Sequence, residues 1–184
     1  MSRFVAVLIA VLLAGTPSAR ADARKDCFEK SGDIAIRACS EAIARNPRDT
    51  VSYVNRAFEY LQKGDHARTI ADYSKAIELD ANRSDAYQGR AWAYLKTGKP
   101  AEGLADAERS LQIKPNDATA LDTRGHIYEA LGRREDAIAD FRRALAVEPR
   151  MQGSREGLRR LGGSALGPWS AGASHPRRGK SGRH

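Results

Sequence analysis

Small and apolar residues return along this chain in alternating stretches with the spacing of one helix face. The first kind of stretch carries an aromatic residue or leucine (Tyr53, Tyr87, Leu121), a small residue (Ala57, Ala91, Gly125) and a tyrosine (Tyr60, Tyr94, Tyr128). These fall at i, i+4 and i+7, positions that share one side of an α-helix. Each stretch stops at a glycine: Gly64, Gly98 or Gly132. The second kind carries small residues at Thr69, Gly103 and Ala137, and again at Ala76, Ser110 and Ala144. Its aliphatic partners are Ile77, Leu111 and Leu145, and Pro115 and Pro149 close two of the three. The pattern predicts helix, turn, helix, turn, three times over. The pairs Arg56-Ala57, Arg90-Ala91 and Arg124-Gly125 mark a step of 34 residues with no insertion between copies.

This order and period resemble the tetratricopeptide repeat, and the resemblance spans residues 33 to 151. It implies an all-α fold, an α-solenoid of antiparallel helix pairs, with full repeats at 50–83, 84–117 and 118–151. The physical basis is plain: two helix axes approach closely only where side chains are small, as at Ala57, Ala91 and Gly125. Glycine after each first helix accepts the left-handed backbone that ends it, and proline after the second stops its continuation. Hairpins of this kind stack because one alone cannot bury both faces. Three positions depart from the family pattern. Ala81 stands where Pro115 and Pro149 stand, and Thr69 and Gly103 stand where alanine is usual. Glycine inside a helix costs about 1 kcal/mol against alanine, so the middle hairpin is expected to be the softest.

Both ends differ from the repeats. Residues 1–21 combine Arg3, an apolar run from Phe4 to Ala14, and Ala19-Arg20-Ala21 before Asp22, the layout of a cleavable secretory signal. The run is too short for a transmembrane anchor, which needs about 20 apolar residues. The expected location is therefore periplasmic or secreted after cleavage near Ala21. In an oxidising compartment Cys27 and Cys39 read as a disulfide; the competing reading makes both small buried apolar residues. Residues 22–49 are expected to form an N-terminal half repeat, with Ala35, Ile36, Ala42 and Ile43 matching second-helix positions and a shortened first half around Cys27 and Phe28. Residues 152–161 are expected to give a capping helix with Leu158 and Leu161 inward. Residues 162–184, rich in Gly, Ser, Ala, Pro and Arg and free of acids, are expected to be a disordered basic tail.

The formal charge of +8 misleads if it is taken as a nucleic-acid signal. Arg3 and Arg20 lie in the N-terminal segment and Arg177, Arg178, Lys180 and Arg183 in the tail, so six of the eight net charges fall outside the repeats. The tail reads either as a solvated end or as a weak contact for polyanions. Within the repeats, Arg56, Arg90 and Arg124 each precede an aspartate by 16 residues: Asp72, Asp106 and Asp140. Pairing inside a repeat uses every charge, whereas pairing with the next repeat's arginine would set Arg56 against Ala38 and Asp140 against Leu158. Three hairpin-internal bridges are expected.

No motif assembles nucleophile, base and oxyanion donors, and two cysteines without a nearby histidine make a poor metal site. The chain is therefore expected to be non-enzymatic, with no cofactor or metal. The resemblance implies a binding surface on the first helices, for another protein or peptide. On that surface Phe58, Trp92 and His126 form one row and Val54, Gln88 and Asp122 another, with Asn55 beside it. Two readings compete for the aromatic row: packing between neighbouring helices, or anchors for a partner with Asn55, Gln88, Asp122 and His126 as polar selectors. Some tetratricopeptide proteins clamp a partner's terminal carboxylate with Lys, Asn and Arg. The matching positions here are mostly Val54, Phe58, Gly89, Thr119 and Thr123, which cannot rebuild that clamp. The alternative function is envelope anchoring through the basic tail on anionic lipid or cell-wall polymer.

Overall fold

A computed structural model describes residues 17–163, with side chains from Ala23 onward. The described residues form nine helices and no strand: α1 Pro17–Glu29, α2 Gly32–Arg45, α3 Thr50–Gln62, α4 His66–Leu79, α5 Ser84–Lys96, α6 Pro100–Ile113, α7 Ala118–Ala130, α8 Arg134–Val147 and α9 Gln152–Arg160. Each first helix ends on a glycine in the left-handed region, Gly64, Gly98 and Gly132 at φ 73–74°. Any side chain there would strain the turn.

Consecutive helices pack as antiparallel neighbours, and α1, α3, α5, α7 and α9 also touch one another in sequence order. The second helices α2, α4, α6 and α8 make no such contacts among themselves. First helices therefore converge while second helices splay, which curves the stack and puts the first helices on its inner wall. The core follows this order in small clusters, among them Ala57, Tyr73, Ala76 and Ala86, then Ala91, Ala107 and Ile127, then Tyr128, Phe141, Leu145 and Leu158.

Gly103 changes the expectation of a soft middle hairpin. A Cβ placed there would lie 2.8 Å from the carbonyl oxygen of Ala91. The glycine lets α6 ride directly on the α5 backbone, which offsets its poor helix propensity. At the N-terminal end α1 packs on α2 as a hairpin, and the part of α1 after Ala21 is shorter than α3. The helix α1 runs back through Ala21, so the expected cleavage boundary falls inside it.

All three arginine–aspartate pairs close within their own hairpins. Arg56, Arg90 and Arg124 each donate from Nε and Nη2 to both carboxylate oxygens of Asp72, Asp106 and Asp140, at 2.6–2.8 Å. The hydrogen bond to aspartate raises each guanidinium pKa against the opposing cost of burial, so the arginines stay charged. Two of them also reach backward. Arg56 donates to Ser40 Oγ and Arg90 to Ser74 Oγ, both at 2.9 Å, stapling each hairpin to the one before. At the third step Glu108 stands in the serine position, and its charge further raises the Arg124 pKa.

Cys27 and Cys39 form a disulfide that ties α1 to α2. Both are buried, with Ala38 beside them. Replacing both with serine is expected to lower stability by about 3 kcal/mol in the chain-entropy account. Backbone hydrogen exchange should report it as faster exchange in α1, with α5 to α8 unchanged.

Candidate functional site

The inner wall carries a groove of about 260 Å³ where α3, α5 and α7 face one another. Phe58, Leu61 and Gln62 come from α3, Gln88, Gly89 and Trp92 from α5, and Thr119, Asp122 and Thr123 from α7; Tyr73 reaches in from α4. Phe58 is 50% exposed, unusual for a phenylalanine. Trp92 is half-buried, and its ring meets His126 edge to face at 5.7 Å between centroids. Lys96 Nζ lies 4.4 Å from the same ring.

The aromatic row thus divides between its two expected roles. Phe58 opens onto the groove and Trp92 borders it, but His126 is only 16% exposed and turns into the wall. There it meets Phe141 at 4.9 Å and lies near the carboxylates of Asp122 and Glu129, at 3.6 and 3.5 Å. Of the expected polar selectors, Gln88 borders the groove and donates to Thr123 Oγ1 at 2.8 Å. Asp122 borders it too, and accepts from Ser154 Oγ of α9 at 2.5 Å. Asn55 lies elsewhere: its amide donates to the Cys27 carbonyl at 3.5 Å and helps seat α1.

Sequence reasoning missed Tyr73, Leu61 and Gln62. The signal for Tyr73 was present at the same 34-residue step. Second-helix positions Cys39, Tyr73, Ala107 and Phe141 alternate small and large, and the next first helices carry Asn55, Gly89, Thr123 and Gly157. Both aromatics fall opposite glycines. A Cβ on Gly89 would lie 2.3 Å from the Tyr73 ring, and one on Gly157 would lie 2.4 Å from the Phe141 ring. Where the second helix supplies volume, the next first helix removes it.

Three tetratricopeptide repeat models match the chain, at residues 51–83, 73–105 and 90–161. Together they cover the three hairpins and the cap. The chain is a tetratricopeptide repeat protein. Solved structures agree in fold: the second TPR domain of human RPAP3, in complex with the HSP70 peptide SGPTIEEVD, is 25% identical, with 62% of this chain and 96% of that one aligned and a TM-score of 0.58. The Arabidopsis OM64 TPR domain is 25% identical over 61% of this chain and 93% of its own, at 0.59. MamA from Desulfovibrio magneticus RS-1 is 19% identical over 78% of this chain and 81% of its own, at 0.68. No curated protein matches the chain. Tetratricopeptide repeat folds are in general non-catalytic interaction modules.

At the C-terminal side of Trp92 the tetratricopeptide wall continues into a second, more open depression of about 450 Å³ bordered by Leu95, Lys96, His126, Glu129 and Arg160. Arg160 of α9 donates to both oxygens of Glu129 at 2.7 and 2.8 Å, clamping the cap onto α7. That hydrogen bond holds the Glu129 pKa below its ordinary 4.5. A carboxylate with a depressed folded pKa contributes stability above its unfolded value and loses it as pH falls through the folded one. Below pH 4.5, α9 is therefore expected to loosen before the array does. Hydrogen exchange at residues 152–160 across an acid series measures this.

Proposed function

We propose that this tetratricopeptide repeat protein is an exported bacterial scaffold that captures an extended segment of another protein on the inner wall of its first helices. The observation that carries the reading is the groove itself. A half-exposed phenylalanine and a tryptophan flank a concavity with side-chain amides and hydroxyls at its edge, a composition suited to an apolar anchor fixed by a few polar contacts. Phe58 and Trp92 are the anchors, and Gln88 and Asp122 the polar selectors; His126 acts from behind by packing against Trp92. The groove's charge argues for what it takes. Asp122 is the one charged residue in its lining, which disfavours an acidic tail such as the SGPTIEEVD bound by the RPAP3 domain. Replacing both anchors with alanine tests the reading, since partner capture should collapse while helicity stays.

Export is supported by Arg3, the apolar run from Phe4 to Ala14 and the small residues around Arg20, which lie almost wholly outside the described residues. The disulfide supports it independently, because such bonds persist chiefly in oxidising compartments. The expected place is the periplasm or the exterior. A second reading rests on the tail, which beyond Gly163 lies outside the described residues, with Arg177, Arg178, Lys180 and Arg183 and no acid. It assigns the tail to weak contact with anionic lipid or wall polymer, so that it anchors the scaffold to the envelope. Deleting residues 162–184 should then abolish retention on envelope fragments, and added salt should weaken it in the full chain. Retention unchanged by both would remove this second reading and leave the first untouched.

A further inference from the structure

Tyr73 sits where a packing residue is sufficient, yet it carries a hydroxyl. It belongs to α4, a second helix, and is only 4% exposed. Its ring passes over Gly89, where a Cβ would lie 2.3–2.5 Å from Cζ, Cε2 and the hydroxyl oxygen. Gly89 thus leaves a gap in the inner wall through which a second-helix side chain reaches the groove. The equivalent residue two repeats on is Phe141, fully buried between Gly125 and Gly157. Packing at this position therefore needs the ring and not the oxygen.

The Tyr73 hydroxyl has no hydrogen-bond partner among the described residues, although Gln88 and Thr123 nearby satisfy each other. Burial and the charge of Asp85 raise its pKa well above the ordinary value, so it stays a neutral donor. Among the described residues only His66 Nδ1 is a buried side-chain polar atom without a partner, so the Tyr73 oxygen keeps contact with the groove and stands open to a ligand's acceptor there.

Building on the inner-wall reading above, we propose that Tyr73 is a ligand-contacting residue whose hydroxyl donates to a backbone carbonyl of an extended polypeptide lying in the groove. That ligand is an internal segment. It places a large apolar side chain between Phe58 and Trp92, sets its carbonyl over Tyr73 and presents a basic residue to Asp122. The groove's single charge and the absence of any cation in its lining select against a terminal carboxylate.

The test begins with random internal peptides displayed on phage and panned on the full chain, with the Phe58→Ala, Trp92→Ala chain as the counter-selection. An enriched peptide is synthesised and its affinity measured against the native chain and Tyr73→Phe. The expected result is enrichment of large apolar residues next to Lys or Arg, and binding about ten-fold weaker in Y73F with an unchanged thermal melt. A set of peptides with single amide-to-ester replacements, which weaken one carbonyl acceptor at a time, adds a readout that packing alone would not move. One ester should weaken binding to the native chain and have no effect on Y73F. Equal affinity of the two chains, or the same ester profile in both, overturns the role of Tyr73 and leaves the groove standing. Enrichment of acidic peptides, or tighter binding of the selected sequence when it is synthesised with a free C-terminal carboxylate, overturns the ligand class alone. No peptide that depends on Phe58 and Trp92 overturns both this inference and the reading beneath it.

Discussion

Phe141→Ala is expected to lower the free energy of unfolding by about 3–5 kcal/mol, the range for deleting a fully buried aromatic ring. The ring is 0% exposed and fills a slot with glycine on two sides, Gly125 of α7 and Gly157 of α9, while His126 meets its edge. Neither glycine has a side chain that can relax into the cavity. The loss should therefore lie near the upper end of the range. Because a stacked array is held by contacts between neighbours, α8 and α9 should open first. Urea unfolding followed by circular dichroism gives the magnitude, and hydrogen exchange gives the order. Gly157→Ala approaches the same site from the other side: its Cβ would lie 2.4 Å from the ring, so it should also destabilise despite alanine's better helix propensity.

The second large effect is on binding. Replacing Phe58 and Trp92 together with alanine should weaken partner capture more than a hundred-fold, since buried aromatic anchors each contribute about 2 kcal/mol or more to an interface. The two residues are unequal in the free protein. Phe58 is half-exposed and its removal should leave stability within about 0.5 kcal/mol of the native chain. Trp92 packs on His126, so its removal should cost some stability as well. Single replacements separate these effects: Phe58→Ala should lose binding at constant melting temperature. Calorimetric titration with a selected peptide measures the first quantity and a thermal melt the second.

Much of this was legible before any coordinates, because the repeat is periodic and periodicity carries geometry. The 34-residue step located the three hairpins, and the 16-residue offset of Arg56, Arg90 and Arg124 from their aspartates sufficed to place the bridges inside each hairpin. The serine staples at Ser40 and Ser74 followed the same arithmetic but required knowing which way the guanidinium's third nitrogen points. The wall was harder. Phe58, Trp92 and His126 share one ladder position, yet they differ in exposure because α9 covers only the last, through Ser154 on Asp122 and Arg160 on Glu129. Asn55 was misplaced for the corresponding reason at the other end, where α1 covers it. A ladder in sequence is uniform, but the ends of a finite stack are not. Gly103 looked like a weakness in helix propensity and proved to be a close approach of backbones, a contact that no single-helix argument contains.

The most direct measurement of the central claim is site-specific photocrosslinking in intact cells, with a photoreactive residue placed at position 58 on the inner wall or at position 78 on the exposed face of α4. The account predicts a discrete adduct from position 58, mapped by mass spectrometry to one internal segment of a partner protein, and none from position 78. Adducts of equal yield from both positions, or from position 78 alone, would contradict it.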